Sequence, residues 1–190
     1  HYGDLGNTFM CGPSGAGKTV IVNFMLSQLE KHDPHVVFFD KDRGADLYVR
    51  AADGTYLPLK NGTPTGCAPL KALDLTPENK VFLTRWVGKL VGSGSRELSV
   101  TELRDIAGAI DGLADLPTEQ RTIGALRTFL NNTDMEGIAA RLRRWERGGP
   151  LGWVFDNVIE DIGFGDLGGN GKFIGYDMTD FLDNEEIRTP

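Results

Sequence analysis

The sequence predicts an α/β protein, with a mostly parallel sheet and an all-helical segment inserted into it. Residues 8–40 carry, in order, a short apolar run, a glycine loop, a helical pattern and a second apolar run. This order is typical of a strand–helix–strand unit with a right-handed crossover. Helical patterns then fill residues 73–147, and strand patterns return after them. We therefore expect a core of residues 1–72 and 148–190, interrupted by a helical subdomain of residues 73–147; the alternative is that these helices simply cover the sheet.

The first strand–helix–strand unit can be placed residue by residue. Thr8–Cys11 is apolar and stops at a glycine, which predicts a buried strand. His35–Asp40, with the sequence HVVFFD, is a continuous β-branched and aromatic run, typical of a strand covered on both faces. Between them, the sequence predicts a helix that begins at Lys18 and ends shortly before the next proline. Its apolar residues recur at helical spacing; they are Val20, Ile21, Phe24, Met25 and Leu29.

Caps and turn signals predict the remaining elements. RGADLYVRAADG predicts a short helix closed by Gly54, and TYLPL predicts a short strand. Thr76–Pro77 and the Ser99–Glu102 capping box each mark a helix start. GWVFD and KFIGYDM predict the returning strands, and Gly163–Gly171 predicts a glycine-rich loop. Apolar helix faces are formed by Leu103, Ile106, Ala107, Ile110 and Leu113, and by Ile138, Leu142 and Trp145.

Composition limits the function classes. The 190 residues are 40% hydrophobic and 25% charged, which permits a sizeable core, and the net charge is −7. A free-standing nucleic-acid-binding module is usually basic, so the charge disfavours nucleic acid as the main ligand. Cys11 and Cys67 lack partners at metal-ligand spacing, and we expect reduced, buried thiols in a cytosolic protein. No apolar run approaches membrane-spanning length, and the start of the chain does not resemble a signal peptide.

Gly12–Thr19, with the sequence GPSGAGKT, matches the phosphate-binding pattern G-x-x-x-x-G-K-[ST]. Small residues let backbone N–H groups surround the phosphates of a nucleotide, and the start of the next helix adds a partial positive charge. The alternative is a glycine-rich turn that only joins a strand to a helix, but the flanking patterns favour nucleotide binding. The predicted nucleotide-binding residues are Gly12, Pro13, Ser14, Gly15, Ala16, Gly17, Lys18, Thr19 and Val20.

Two residues of this loop carry the chemistry. Lys18, the predicted catalytic residue, supplies a full positive charge for the β- and γ-phosphates of ATP. Thr19 offers its hydroxyl to Mg²⁺, which prefers hard oxygen ligands. A dinucleotide-binding loop is excluded because Val20 stands where its third glycine would be. A GTPase is excluded because Phe82 stands where the base-reading Asn-Lys-x-Asp element needs its aspartate.

Three apolar stretches end in an aspartate, at Asp40, Asp156 and Asp177, and none is followed by a glutamate. In ATPases such an aspartate stands behind the magnesium ion, and a second group orients water. We favour a purely structural role for Asp156 and Asp177. For Asp40 a structural and an active-site role are both open, because its strand ends at the edge where the phosphate loop begins. Asp40 and Asp42 also resemble the acidic pair that some small-molecule kinases place opposite this loop.

A cluster of arginines is predicted to lie on one helix; it comprises Arg141, Arg143, Arg144 and Arg147. One interpretation is a subunit or phosphate contact, such as an arginine finger. The other is a solvated helix face whose last turn favours cations, and we favour it because such charge runs commonly have no function.

Five stretches in the same order carry a family resemblance; they are GPSGAGKTVIVNF, FFDKDRGADLYVRA, YLPLKNGTPTGCAPL, ARLRRWERGGPLGWVFDN and IGYDMTDFLDNEEIRTP. Through them the chain resembles the TrbE/CagE-type ATPases of bacterial type IV secretion and conjugative transfer over nearly its whole length. The resemblance implies a RecA-like P-loop ATPase domain with an inserted helical subdomain, using ATP and Mg²⁺. It assigns Gly12–Thr19 to the nucleotide loop and places Asp40, Asp42 and Arg43 near the edge of the active site.

The resemblance also implies a setting for the parent protein. We expect a cytoplasmic ATPase, often hexameric, that docks on other secretion components at the bacterial inner membrane and energises pilus assembly and substrate export. The family's Walker B strand, with its Asp-Glu pair, follows the IRTP stretch. We therefore expect this chain to end before that strand and to hydrolyse ATP poorly by itself. Two alternatives stay open: a non-hydrolysing nucleotide-binding interaction module, and a P-loop kinase of a small molecule.

Overall fold

The computed structural model describes residues 6–92, 97–158 and 173–188. The chain forms two compact units. Unit 1 comprises residues 1–58 and 168–178, and unit 2 comprises residues 59–167 and 179–190. Within the described ranges, no helix combines the length and the apolar character needed to cross a membrane.

Unit 1 is built on a three-stranded parallel sheet. Its strands are β1 (Val36–Asp40), β2 (Thr55–Pro58) and β3 (Phe173–Asp177), in the spatial order β1-β3-β2. Two helices precede and follow β1: α1 (Lys18–Leu29), extended by a 3₁₀ turn at Glu30–His32, and α2 (Asp46–Ala51). All three strands were predicted from the sequence and are confirmed.

The register brings the carboxyl ends of the strands to one level. Asp40 pairs with Asp177 on one side of β3, and Pro58 pairs with Asp177 on the other. Every residue of β3 is buried, because β3 has a neighbour on both edges. The core of this unit contains Ala45, Val49 and Tyr56, with Phe38 packed against them.

The outer strand β1 differs from its prediction. Its alternate side chains, Val37 and Phe39, are 40% and 69% exposed, so one face of the strand is open rather than covered on both sides. Phe39 stacks on Tyr176 of the neighbouring strand, with ring centroids 5.6 Å apart. Alternation of this kind is the pattern of a strand with one buried face.

The predicted strand at Thr8–Cys11 is wrong. These residues have no regular structure, Phe9 is 90% exposed, and the Cys11 thiol is exposed rather than buried. A strand is stable only where a neighbouring strand supplies hydrogen bonds, and in the described part of the chain none pairs with this segment.

The predicted helix α1 is confirmed, but it buries no side chain. The residues of its apolar stripe are all exposed; they are Val20, Ile21, Phe24, Met25 and Leu29.

Unit 2 is helical in the residues described. Its longest helices are α4 (Pro77–Val91) and α5 (Val100–Gly112), and both begin where the caps predicted. The Thr76 hydroxyl accepts a hydrogen bond from the Asn79 N–H, and Ser99 and Glu102 form the reciprocal capping box. The shorter helices are α3 (Pro69–Ala72), α6 (Ile123–Thr128), α7 (Ile138–Leu142), α8 (Gly152–Phe155), α9 (Thr179–Asp183) and α10 (Glu185–Arg188).

Two predictions in unit 2 are wrong. GWVF forms helix α8 instead of a strand, because a four-residue apolar run does not distinguish a buried helical turn from a strand. The arginine cluster does not share one helix, because α7 ends at Leu142 and the chain then turns through residues 143–151. The Leu151 N–H donates to the Arg144 carbonyl across this turn, at 2.8 Å. The loop predicted at residues 163–171 lies outside the described residues.

Tyr48 ties α2 to the turn that follows α1. Its hydroxyl donates to Glu30 Oε1 at 3.1 Å, and its ring meets the edge of Phe173 with centroids 6.0 Å apart. Burial, and then the hydrogen bond and the charge of Glu30, raise the pKa of the Tyr48 phenol from 10.0 to about 12. The folded state therefore holds this proton more tightly than the unfolded state.

We predict that the free energy of unfolding falls as the pH rises from about 10 to about 12. In this window the unfolded chain releases the Tyr48 proton while the folded chain keeps it. Denaturant titrations at several pH values measure the effect. Tyr48→Phe should flatten the fall relative to the unsubstituted chain, and an unchanged slope would contradict the assignment.

We also predict opposite effects for two glycine-to-alanine substitutions. A Cβ at Gly175 would lie 2.5 Å from Tyr56 Cδ2 and 3.2 Å from Val49 Cγ2, so Gly175→Ala should destabilise unit 1 by about 1–3 kcal/mol. Gly108, on the exposed side of α5, has free space around its Cβ position, so Gly108→Ala should stabilise unit 2 by up to about 1 kcal/mol. Chemical denaturation of both variants provides the comparison; equal shifts would contradict the packing described for β3.

Candidate nucleotide-binding site

The glycine loop adopts an open conformation at the start of α1. Gly15 and Gly17 have φ angles of 78° and 80°, in the left-handed region that side chains disfavour. No atom lies within 4 Å of a Cβ built at either glycine, so these two positions need glycine for their backbone angles and not for lack of space. The glycines therefore shape a loop whose inner face consists of backbone.

The backbone N–H groups behind this loop are free. The first N–H of α1 to enter the helical hydrogen-bond pattern is that of Ile21, which donates to the Gly17 carbonyl at 3.0 Å. The preceding N–H groups of Gly17, Lys18, Thr19 and Val20 donate to no protein acceptor among the described residues. Such unpaired donors, together with the helix dipole, form an anion-binding terminus.

Lys18 lies across its own loop. Its ammonium donates to the Gly12 carbonyl at 2.7 Å and to the Pro13 carbonyl at 2.8 Å. The positive charge is thereby held beside the free N–H groups instead of extending into solvent. An ammonium, four unpaired amides and the Thr19 hydroxyl form a set of groups with the chemistry that a triphosphate and a magnesium ion require.

The loop that follows β1 also lies beside the start of α1. A Cβ at Gly44 would lie 3.0 Å from Thr19 Cγ2 and 3.3 Å from Thr19 Oγ1, so the backbone at Gly44 lies against Thr19. Two non-glycine residues of this loop, Asp42 and Arg43, have φ angles of 67° and 59°. Consecutive left-handed residues cost conformational energy, and such strain is concentrated at functional sites. The contact between Gly44 and Thr19 was not predicted, because only the folded loop brings these residues together.

Asp40 is engaged in holding this loop. Its carboxylate is 5% exposed, and Oδ2 accepts hydrogen bonds from the Ala45 N–H and the Tyr56 hydroxyl, both at 2.8 Å. Burial, followed by the hydrogen bond to Asp40, raises the pKa of Tyr56 well above its usual value, so the phenol stays protonated and keeps donating. These contacts connect β1 to α2 and β2.

Arg43 pairs with the aspartate that ends the neighbouring strand. Its Nε donates to Asp177 Oδ2 at 2.8 Å; the Arg43 side chain is 63% exposed and that of Asp177 is 5% exposed. The hydrogen bond and the charge of Asp177 raise the pKa of Arg43. The sequence held a signal for this pair, because Asp40 and Asp177 each end an apolar strand and parallel neighbours end at the same edge.

Most of the remaining acidic and basic residues that the sequence singled out make hydrogen bonds and ion pairs within unit 2. Asp156 is 5% exposed, and its carboxylate accepts from the Ile123 N–H at 3.1 Å and from the Arg147 N–H at 2.8 Å. Arg141 is paired with Glu102 at 2.6 Å and also donates to the Val91 carbonyl at 3.0 Å. These residues fasten helices to one another.

Arg144 and Arg143 lie in the turn after α7. Arg144 reaches Glu186 at 3.2 Å, and its guanidinium lies 5.8 Å from the centre of the Trp145 ring. The side chain of Arg143 is exposed and has no recorded bond in the part of the chain that the structure describes.

Comparison with known proteins places the chain in a family. A model of the TraG P-loop domain matches residues 4–135. The type IV secretion system protein virB4 of Bartonella henselae is 60% identical over 190 residues, which are 100% of this chain and 24% of that protein. Protein virB4 of Agrobacterium tumefaciens is 40% identical over 195 residues, covering 100% of this chain and 24% of that protein. Type IV secretion system protein PtlC of Bordetella pertussis is 38% identical over 200 residues, covering 98% of this chain and 24% of that protein.

The chain thus spans about a quarter of the length of these relatives. The solved structure of VirB4 of Thermoanaerobacter pseudethanolicus is similar with a TM-score of 0.65 and 17% identity, over 93% of this chain and 51% of that one. This similarity confirms the predicted α/β fold class, and the names of the relatives confirm the resemblance to type IV secretion proteins. Because the family match includes the glycine loop and covers well over half of the residues, the chain belongs to the TraG P-loop domain family.

Proposed function

We propose that this chain is the ATP-binding part of a motor ATPase of type IV secretion or conjugation. The observation that carries the proposal is the row of unpaired N–H groups at Gly17–Val20, bordered by the Lys18 ammonium. An arrangement of amides at a helix start, with a lysine beside it, suits several negative charges held close together. The similarity to virB4 and PtlC proteins of type IV secretion systems supplies the biological setting.

Each residue of the loop has a proposed role. The unpaired N–H groups of Gly17–Val20 bind phosphate oxygens, and Lys18 moves its charge from its own loop carbonyls to the β- and γ-phosphates. The Thr19 hydroxyl holds a magnesium ion, which when bound would neutralise phosphate charge. The backbone at Gly44 lies against Thr19, so the loop after β1 borders that hydroxyl.

Asp40, Asp42 and Arg43 form the proposed edge of the active site. The buried Asp40 carboxylate accepts two hydrogen bonds already, which weighs against its use as a catalytic base; a small-molecule kinase would therefore have to rely on Asp42. Arg43 presents an exposed guanidinium in a loop that touches Thr19, so it is the better candidate for a charge that senses bound nucleotide.

The parent protein is proposed to be cytoplasmic, to form a homo-oligomer, often a hexamer, at the inner membrane, and to energise pilus assembly and substrate export. We further propose that residues 1–72 and 148–190 belong to its RecA-like core, with residues 73–147 as a helical insertion. The open face of β1 and the exposed stripe of α1 are apolar surfaces that fit coverage by another layer of the parent protein.

We predict that the chain binds Mg-ATP and that Lys18→Ala weakens this binding at least tenfold, because the ammonium is the one full positive charge within the loop. Isothermal titration calorimetry measures the affinity. Lys31→Ala, in the exposed 3₁₀ turn at the other end of α1, is the matched control and should bind as the unsubstituted chain does. Equal loss in both variants, or none in either, would contradict the assignment.

We also predict that the chain alone releases little or no phosphate from ATP. The loop stabilises phosphate charge, but efficient hydrolysis also needs a group that orients the attacking water, and none of the three aspartates that end apolar stretches is followed by a glutamate. A phosphate-release assay with purified protein decides this. Turnover that disappears in Lys18→Ala would show that the chain contains a complete catalytic site, whereas binding without turnover favours either the motor proposal or a non-hydrolysing interaction module.

A further inference from the structure

Unit 2 contains a cleft whose lining residues are distant in sequence from the glycine loop. The function proposed above gives this cleft no role. The cleft has a volume of about 510 Å³ and is formed between the loop after β2 and the turn that precedes α8. We call it the Arg147 cleft. The lining residues that matter below are Pro64, Arg147, Gly149, Trp153, Asn157 and Val158.

The walls of the Arg147 cleft are fixed before any ligand binds. A Cβ at Gly149 would lie 2.6 Å from the Arg143 carbonyl oxygen, so the backbone there is closely packed. Asn157 Nδ2 donates to the Cys67 carbonyl at 2.8 Å, which fastens one wall to the other. The Thr65 N–H donates to the Trp153 carbonyl at 3.1 Å and reinforces this connection. Preformed concave sites of this size, with mainly apolar walls, are typical of ligand-binding sites.

One end of the Arg147 cleft is positively charged and lacks a bound carboxylate. The Arg147 guanidinium makes a single recorded hydrogen bond among the described residues, a long one of 3.5 Å from Nε to the Asp156 carbonyl. The nearby Asp156 carboxylate, which also lines the cleft, accepts from the Ile123 and Arg147 N–H groups and forms no ion pair with this guanidinium in the described structure.

Lys71 does not line the cleft but places a second cation next to its wall at Asn157 and Val158. Its ammonium donates to the carbonyls of Asn157 and Val158, both at 2.8 Å, so its recorded partners are neutral. Burial and the charge of Arg147 lower the pKa of Lys71, while Asp156 and Glu119 raise it through space. Among the described residues, the Arg147 guanidinium is the free cation of the cleft, and with Lys71 nearby it favours an anionic ligand although the Asp156 carboxylate also lines the cleft.

We propose that the Arg147 cleft binds a peptide segment of a partner protein in which one Asp or Glu carboxylate lies next to an aromatic or leucine side chain. The planar guanidinium of Arg147 receives the carboxylate through two parallel hydrogen bonds. The apolar walls at Pro64 and Trp153 receive the neighbouring side chain. A phosphate group fits less well, because one free guanidinium and mostly apolar walls provide few donors for a dianion.

The test uses dye-labelled octapeptides, capped at both ends, with one Glu beside Phe, Leu or Trp, and the same peptides with Gln in place of Glu. Fluorescence anisotropy measures their binding to the full chain. We expect at least one Glu peptide to bind tenfold or more tightly than its Gln counterpart. Arg147→Gln should abolish this difference. It keeps the backbone N–H that holds Asp156, so the fold should persist, and near-UV circular dichroism verifies this.

Arg143→Gln is the matched control, because the Arg143 side chain is exposed in the same turn and makes no hydrogen bond or ion pair within the described ranges. It should leave the Glu-to-Gln difference unchanged. The proposal is overturned if no peptide binds below about 1 mM, if Glu and Gln peptides bind equally, or if Arg143→Gln is as damaging as Arg147→Gln. Inorganic phosphate that displaces bound peptide at a lower concentration than free acetate does would identify a phosphate site and also overturn it.

Discussion

The hydrogen bond from Tyr56 to the buried Asp40 carboxylate is the contact on which unit 1 depends. A carboxylate that is 5% exposed is costly unless it has donors, and Tyr56 and the Ala45 N–H provide them at 2.8 Å each. Because Tyr56 comes from β2 and Ala45 precedes α2, one side chain fixes the end of β1 relative to both. The chain between Asp40 and Ala45 must then turn within four residues, which accounts for the left-handed angles at Asp42 and Arg43. That tight turn brings Gly44 against Thr19, so a structural carboxylate determines the surroundings of the proposed magnesium ligand.

In unit 2, too, a buried carboxylate orders a loop by accepting hydrogen bonds. Asp156 receives two backbone N–H groups, and Asn157 distributes its amide among carbonyl and hydroxyl acceptors of the loop after β2. In both units, therefore, an acid that follows an apolar run organises a loop by satisfying backbone donors. The consequence differs between the units. In unit 1 the organised loop lies beside the phosphate-binding terminus, whereas in unit 2 it leaves the guanidinium of Arg147 without a carboxylate and so creates the charged end of the Arg147 cleft.

Features encoded by a few consecutive residues could be predicted from the sequence. The glycine loop, the Thr76 cap and the Ser99–Glu102 capping box depend on local backbone chemistry, and each is present. The errors arose where the outcome depends on distant partners. Thr8–Cys11 is apolar enough for a strand, but strand formation requires a neighbour. The segment at Gly152–Phe155 is equally ambiguous by periodicity, and it forms a helix whose first residue packs closely, since a Cβ at Gly152 would lie 2.1 Å from the Glu146 carbonyl oxygen. The pairing of Arg43 with Asp177, 134 residues apart, was likewise not predicted, although the two strand-ending aspartates indicated that Asp40 and Asp177 share one edge of the sheet.

The exposed stripe of α1 links the stability of the helix to the proposed affinity for nucleotide. A helix of twelve residues that buries no side chain gains little from packing, and helices of this length are marginal by themselves in water. If other residues covered side chains such as Phe24 and Met25, each side chain that became fully buried would stabilise the folded state by about 1.5–3 kcal/mol. The amides that face the phosphates belong to the first turn of this same helix, so they are aligned only while the turn is formed. Nucleotide binding and covering of the stripe therefore favour the same ordered state, and each should strengthen the other, since a ligand's apparent affinity rises with the population of the state that binds it.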